Sequence, residues 1–292
     1  MSFLLSACFV ASTAHAEELT GTLKKIKDSG VITLGAREST APFSYRVQGT
    51  EFAGYSYDIM MKVVDRIKTE LKAPNLQVKV IPFTAQNRIP LVQNGTLDLE
   101  CSTTTNTPER QNQVAFSDSI FVIGERLITS KTSGIHDFAD LRGKNVATTA
   151  GTTTERTLSK LNDEKKLGMN VMAVQENSQA FLAVESGRAV AFAMDDAILY
   201  GERAKSKDPG NWVVVGTPQT REAYGCIMRK DDAPFKKLVD STVAGLMKSG
   251  EIMPIYKKWF EQPIPPRGNA LQFAISDDVK KLYANPNDTA LQ

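Results

Sequence analysis

The sequence predicts an α/β protein built as two similar lobes. Three observations carry this prediction. Apolar runs of strand length alternate with amphipathic helical patterns along the chain after residue 30. The alternation restarts near residue 121. No flexible or low-complexity linker separates the halves, which favours lobes joined by crossing strands over independent beads.

In order, residues 31–36 (VITLGA) form a short apolar run after Gly30 and read as a strand. Residues 57–71 set Met60, Val63, Val64, Ile67 and Leu71 on one helical face. A strand at 77–81, a short helix at 88–93 and a strand at 97–102 follow. This β-α-β-α-β order implies an open sheet with parallel neighbours. The second unit reads as strands at 121–129, 144–149, 170–174 and 189–194, with helices at 152–161, 179–185 and 196–204. LVQNGTLDLE (91–100) and AVESGRAVAF (183–192) echo each other, each a helix end, a glycine suited to a left-handed cap, and a strand. Strands at 212–216 and 222–229 come next, then helices at 234–248 and 251–260. A short amphipathic helix at 277–283 follows the Pro-rich 263–266.

Composition removes several functions. The 292 residues carry 35 Lys and Arg against 33 Asp and Glu, a net charge of +2 with the signs interspersed, which is no nucleic-acid footprint. A 41% hydrophobic content supplies a full core. No apolar run reaches the roughly 20 residues of a membrane span. Residues 1–16 lack Asp, Glu, Lys and Arg, are mostly apolar from Phe3 to Val10, and end on Ala14-His15-Ala16, a small-x-small cleavage pattern. They read as an export signal that directs the chain to the periplasm. Leu5-Ser6-Ala7-Cys8 also has the form of a lipid-attachment site, but the apolar run continues past Cys8, which favours soluble export. Cleavage after Ala16 leaves Cys101, Cys226 and His136 as the only cysteines and histidine. These cannot make a His/Cys zinc site. His136 lies among loop-like residues, a poor place for the base of a Ser-His or Cys-His machine. Phosphate-loop, HExxH, CxxC and GxSxG patterns are absent. Neither metal nor cofactor is expected.

Three polar clusters stand at strand ends, where open α/β sheets bind ligands. In the first, Thr103 and Thr105 face the same side if the strand continues. Pro108 suits the first turn of a helix that would hold Arg110, whose guanidinium suits a two-pronged grip on a carboxylate. In the second, Thr152 and Glu155 fit a capping box, and Thr152 and Thr153 open a helix whose free N–H groups attract anions. In the third, Asp195 follows a strand and suits an ammonium group. Arg37 and Arg88 stand at comparable edges. Taken alone, the first two clusters read equally as capped surface helices without a ligand. Together, three arginines and one aspartate suggest a small ligand with more negative than positive groups.

These residues resemble a known family. Gly54-Tyr55-Ser56-Tyr57-Asp58-Ile59, Thr105-x-x-Pro108-Glu109-Arg110, Phe116-Ser117-Asp118, Ala139-Asp140-Leu141-Arg142-Gly143-Lys144 and Gly151-Thr152-Thr153 look like the type-3 extracytoplasmic solute-binding proteins. QNRIPL (86–91), ESGRAVAF (185–192), MDDA (194–197), GERAK (201–205) and PIPP (263–266) resemble the branch that binds glutamate and aspartate. The resemblance implies the two-lobed type II periplasmic-binding-protein fold, with two open α/β sheets joined by two crossing segments. The first lobe would take 17–120 and 218–292, and the second 121–217. It implies a monomer that captures an acidic amino acid by lobe closure and delivers it to the membrane permease of an ABC importer.

Carried over by position, Arg110 would bind the α-carboxylate with Thr105 and the Thr153 backbone. Asp195 and Thr103 would bind the α-ammonium, and Arg37 and Arg88 the side-chain carboxylate. Thr152 and Asn177 would complete the set. The chain departs from the pattern at Ala85, where a hydroxyl is expected, and at Asn177, where relatives carry a histidine. Alternatives are a binder of another polar amino acid, or a cyclohexadienyl dehydratase-like enzyme on the same fold. The implied first lobe holds both retained cysteines, and export to an oxidising compartment predicts a Cys101–Cys226 disulfide.

Overall fold

The computed structural model describes residues 18–291, so the export signal expected at 1–16 lies outside the described residues. Two five-stranded sheets form two lobes. The first runs Gln77–Pro82, Val31–Ala36, Leu99–Glu100, Glu222–Met228, Ala115–Ile123 across the sheet. The second runs Asn170–Val174, Asn145–Thr149, Ala191–Asp195, Glu125–Ser130, Trp212–Val215. In each, three strands are parallel neighbours and two are antiparallel. The parallel part is the β-α-β-α-β pattern of the sequence. The antiparallel strands are the crossing segments, each of which serves both sheets.

The strand expected at 121–129 is therefore two strands, Ala115–Ile123 in one sheet and Glu125–Ser130 in the other. They meet at Gly124, where a Cβ would stand 2.8 Å from the Pro218 Cβ of the second crossing segment. The two crossings touch there, and only glycine admits the approach. The strand expected at 97–102 pairs only over Leu99–Glu100, because the residues beyond turn into the cleft. The helix expected at 251–260 changes at Lys257 to a π-helical turn, Lys257–Glu261. A three-stranded sheet of Ser39–Thr40, Ser44–Gln48 and Glu51–Ala53 had no signal in the sequence, since each strand is too short for a readable alternation.

The helix Tyr55–Glu70 buries Tyr55, Ile59, Met60, Val63, Val64 and Ile67 on one stripe. It begins two residues before the expected start, at Tyr55, with Gly54 as its N-cap. Beneath the crossings lies an aromatic cluster. Phe43 stands 5.0 Å from Phe121 and 5.3 Å from Tyr224, and Phe121 stacks on Phe260 at 4.9 Å. Such pairs add about 0.5–1.5 kcal/mol each beyond area burial. They hold Tyr224 with its hydroxyl aimed at the second lobe.

Cys101 and Cys226 are joined as expected, with Cα atoms 4.2 Å apart and 125 residues between them in sequence. A loop of that length loses much entropy on closure. Reducing the bond is expected to cost about 2–4 kcal/mol of stability, read as a lower melting temperature in dithiothreitol. Among the described residues, no helix is long and apolar enough to cross a membrane.

Candidate functional site

The parallel strands of both sheets deliver their ends to one cleft. Arg37 follows Val31–Ala36, Thr103 and Thr105 follow Leu99–Glu100, Thr152 follows Asn145–Thr149, and Asp195 ends Ala191–Asp195. Between the lobes lies a nearly closed pocket with about 10 Å³ of free space. Arg37, Arg88, Thr103 and Thr105 border it from the first lobe, and Thr152, Thr153, Asn177 and Asp195 from the second. Met194 adds an apolar contact that the sequence reading did not include. The free space is about the room one water needs, so the two lobes stand closed on one another here.

Of the nine residues singled out from sequence, Arg110 alone does not border the pocket. Thr107 caps its helix, accepting from the Arg110 N–H at 3.2 Å, and the guanidinium donates Nη1 to the Thr105 carbonyl at 2.9 Å. The side chain is buried beside the pocket wall.

The two distal arginines differ sharply. Arg37 donates Nη2 to Glu176 Oε2 at 3.0 Å, and Ser39 donates to the same oxygen at 2.6 Å. Glu176 comes from the opposite lobe, so this ion pair also latches the cleft. Arg88 is 3% exposed and has neither hydrogen bond nor ion pair from its side chain among the described residues; its Nε is fully enclosed. Burial first, then Arg110, push its guanidinium well below the usual range, against the pull of the buried Glu100 carboxyl, which makes no ion pair with it. Arginine nevertheless stays charged at neutral pH, so the cost appears as an unmet demand for an anion.

At the start of the helix Thr153–Glu164, Thr152 Oγ1 accepts the Glu155 N–H at 3.1 Å. The expected capping box is only half made. Glu155 reaches back to the Gly151 N–H at 2.7 Å instead of the cap residue's own. Gly151 has φ of 78°, and a Cβ there would meet the Gln86 backbone nitrogen at 3.0 Å, so this turn packs tightly on the first lobe. Asn177, expected as a ligand contact, also spans the cleft. Its Oδ1 accepts from Thr149 Oγ1 at 2.6 Å, and its Nδ2 donates to Thr40 Oγ1 at 3.2 Å.

Asp195 accepts from the Tyr224 hydroxyl in a short hydrogen bond, and from Thr154 Oγ1 at 3.2 Å. Two further carboxylates stand beside it, Glu125 and Glu222, both missed in the sequence. Glu222 Oε2 accepts from Thr105 and from Thr153, each at 2.8 Å, and so ties one lobe to the other. Burial, then Glu222, push Asp195 up to about 8. Burial, then the same neighbour, push Glu125 up to about 9.

The folded, ligand-free protein thus keeps protons that an unfolded chain gives up above about pH 4. This contribution to stability is complete below that pH and is lost as pH rises towards 8–9. Ligand-free protein is expected to lose up to about 1.4 kcal/mol per pH unit per retained proton over this window, and a pH series of thermal melts measures it.

Two sheets closing on a small pocket of opposed charges define a two-lobed binding protein for a polar solute. Residues 32–262 match the bacterial extracellular solute-binding proteins, family 3, and the chain belongs to that family. It is 54% identical over 295 residues to the L-glutamate/L-aspartate-binding protein of Pseudomonas aeruginosa, covering 100% of this chain and 97% of the relative. It is 51% identical over 291 residues to the glutamate/aspartate import solute-binding protein of Escherichia coli, covering 100% and 96%. Among solved structures, a mutant of ArgBP from T. maritima superposes with a TM-score of 0.73 at 28% identity, covering 82% of this chain and 100% of that one.

Proposed function

We propose that the chain is the extracytoplasmic substrate-binding component of an ABC importer and captures L-glutamate or L-aspartate by lobe closure. One observation carries the choice of an acidic ligand: Arg88 is buried at the pocket with no hydrogen bond or ion pair from its guanidinium among the described residues, and the buried Glu100 and Asp195 act on it only through space. The names of the relatives above point the same way.

In this reading Arg110 leaves the Thr105 carbonyl and grips the α-carboxylate, with the Thr153 backbone and the Thr105 hydroxyl beside it. Asp195 and Thr103 take the α-ammonium. Arg88 takes the side-chain carboxylate together with the face of Arg37 that Glu176 leaves free. Thr152 and Asn177 complete the wall. Closing without a ligand strands Arg88, while closing on a dicarboxylate satisfies it. That difference in interaction between open and closed forms is what shifts the population. The closed form then docks on a membrane permease outside the cytoplasm. No bond is made or broken in the cycle, so the chain acts as a carrier and not as an enzyme.

A thermal-shift screen tests the reading, because a ligand that binds only the folded state raises its stability. L-Glutamate and L-aspartate are expected to raise the melting temperature; L-arginine is not. A rise with arginine and none with the acids would reject the assignment.

A further inference from the structure

The binding reading uses Asp195 but leaves Glu125 and Glu222 without a role. All three are buried, and their carboxylate oxygens lie within 4.8 Å of one another. None of the three has an ion pair among the described residues. Glu125 is fully enclosed, and neither of its carboxylate oxygens is within good hydrogen-bond geometry of a donor, although the Thr154 and Thr157 hydroxyls stand near. Its oxygens are near those of Asp195, and Asp195 borders the pocket.

The closeness does not depend on lobe closure. Glu125 and Asp195 face each other as register partners on adjacent antiparallel strands of one sheet. Glu222 arrives from the other crossing segment. Three buried carboxylates at this spacing cannot all ionise together. They need a cation, or they keep protons. An ammonium group supplies one positive charge and three N–H donors at one point.

We propose that Glu125 and Glu222 join Asp195 in a three-carboxylate ammonium site, which holds a proton when empty and releases it to solvent when the ligand's ammonium enters. This rests on the proposed function and deepens it. The proton leaves a carboxyl oxygen for the buffer, and the ammonium takes over the neutralising charge. The site then selects for an amine. A dicarboxylate without one, such as succinate, would leave the carboxyl groups without a cation and be rejected.

The other groups facing the cluster do not supply the missing charge. The Tyr224 hydroxyl donates to Asp195 and is neutral. Asp196, at the start of the next helix, adds a further negative charge. Arg126 bears on Asp196, and its guanidinium donates to the carbonyls of Gly216 and Val214. Arg88 and Arg110 act on Asp195 from the first lobe, but neither makes an ion pair with it. The upward displacement of both Asp195 and Glu125 agrees with a retained proton.

If a proton is released, affinity rises with pH over the range in which the empty site holds it, by up to about tenfold per pH unit. The direct test is calorimetric titration of the full chain with L-glutamate at neutral pH in phosphate and in Tris, whose ionisation heats differ. The heats should differ by the amount that corresponds to about one proton released per ligand. Glu125→Gln removes one ionisable carboxyl and should bring that release close to zero. Equal heats in both buffers for the unmodified protein overturn the proposal while leaving the proposed function intact. So does an unchanged release in Glu125→Gln. No binding heat in either buffer overturns the proposed function, and this inference with it. If the variant fails to fold, the two-buffer measurement on the unmodified protein decides alone.

Discussion

Replacing Arg88 with Met is expected to weaken L-glutamate binding by roughly two to four orders of magnitude and to make the ligand-free protein more compact. The two effects share one cause. In the closed arrangement Arg88 is a buried cation without a partner among the described residues. Breaking a buried ion pair costs about 3–5 kcal/mol, so losing the guanidinium strands the ligand's distal carboxylate. Without a ligand the sign reverses. Met fills the space with no unmet charge, so closure no longer carries that cost, and more of the empty protein closes. Calorimetry reads the first effect, and the radius of gyration from solution scattering reads the second. Weaker binding with no compaction would show that Arg88 does not oppose closure of the empty cleft.

Arg110→Ala is expected to abolish measurable binding of every α-amino acid, whatever its side chain. Arg110 is pre-positioned: Thr107 caps its short helix, and the Thr105 carbonyl holds one guanidinium nitrogen. Removing it leaves the α-carboxylate in a dry cleft with backbone N–H groups alone, again a loss of about 3–5 kcal/mol. The contrast with Arg88 is diagnostic. Arg88→Met should hit acidic ligands hardest and spare neutral ones, whereas Arg110→Ala should remove both classes alike. A variant at 110 that still binds L-glutamate within tenfold of the unmodified protein would reject the role.

The sequence made one half of this site readable and hid the other. Arg37, Thr103, Thr152 and Asp195 were visible because each sits where an apolar strand run ends, and open α/β sheets present ligands at such ends. Eight of the nine residues chosen on this logic and on the family resemblance do border the pocket: Arg37, Arg88, Thr103, Thr105, Thr152, Thr153, Asn177 and Asp195. Glu125 and Glu222 carried no such mark. Glu125 falls inside the expected strand 121–129 beside Arg126, and Glu222 opens the strand 222–229 after the polar TPQTR, positions where a glutamate reads as solvent-facing. They meet only because two crossing segments, far apart in sequence, touch at Gly124. Glu176 is equally silent in sequence, since its partner Arg37 lies 139 residues away in the other lobe. Elements too short to show a period, such as Ser39–Thr40 and Glu51–Ala53, were lost for the same reason. Local pattern reports which face is apolar, and not which distant strand supplies the neighbour.

The central claim is that the pocket recognises an α-amino acid bearing a second carboxylate. Calorimetric titration of the chain with L-glutamate, L-aspartate and L-glutamine, side by side, tests it most directly. Glutamine matches glutamate in shape and differs in the one group that Arg88 would hold. The account predicts one site per chain for both acids, with glutamine weaker by about 1.5–3 kcal/mol, roughly ten- to a hundredfold, for the missing charge-assisted contact. Binding of glutamine as tightly as glutamate, or of neither acid, would contradict it.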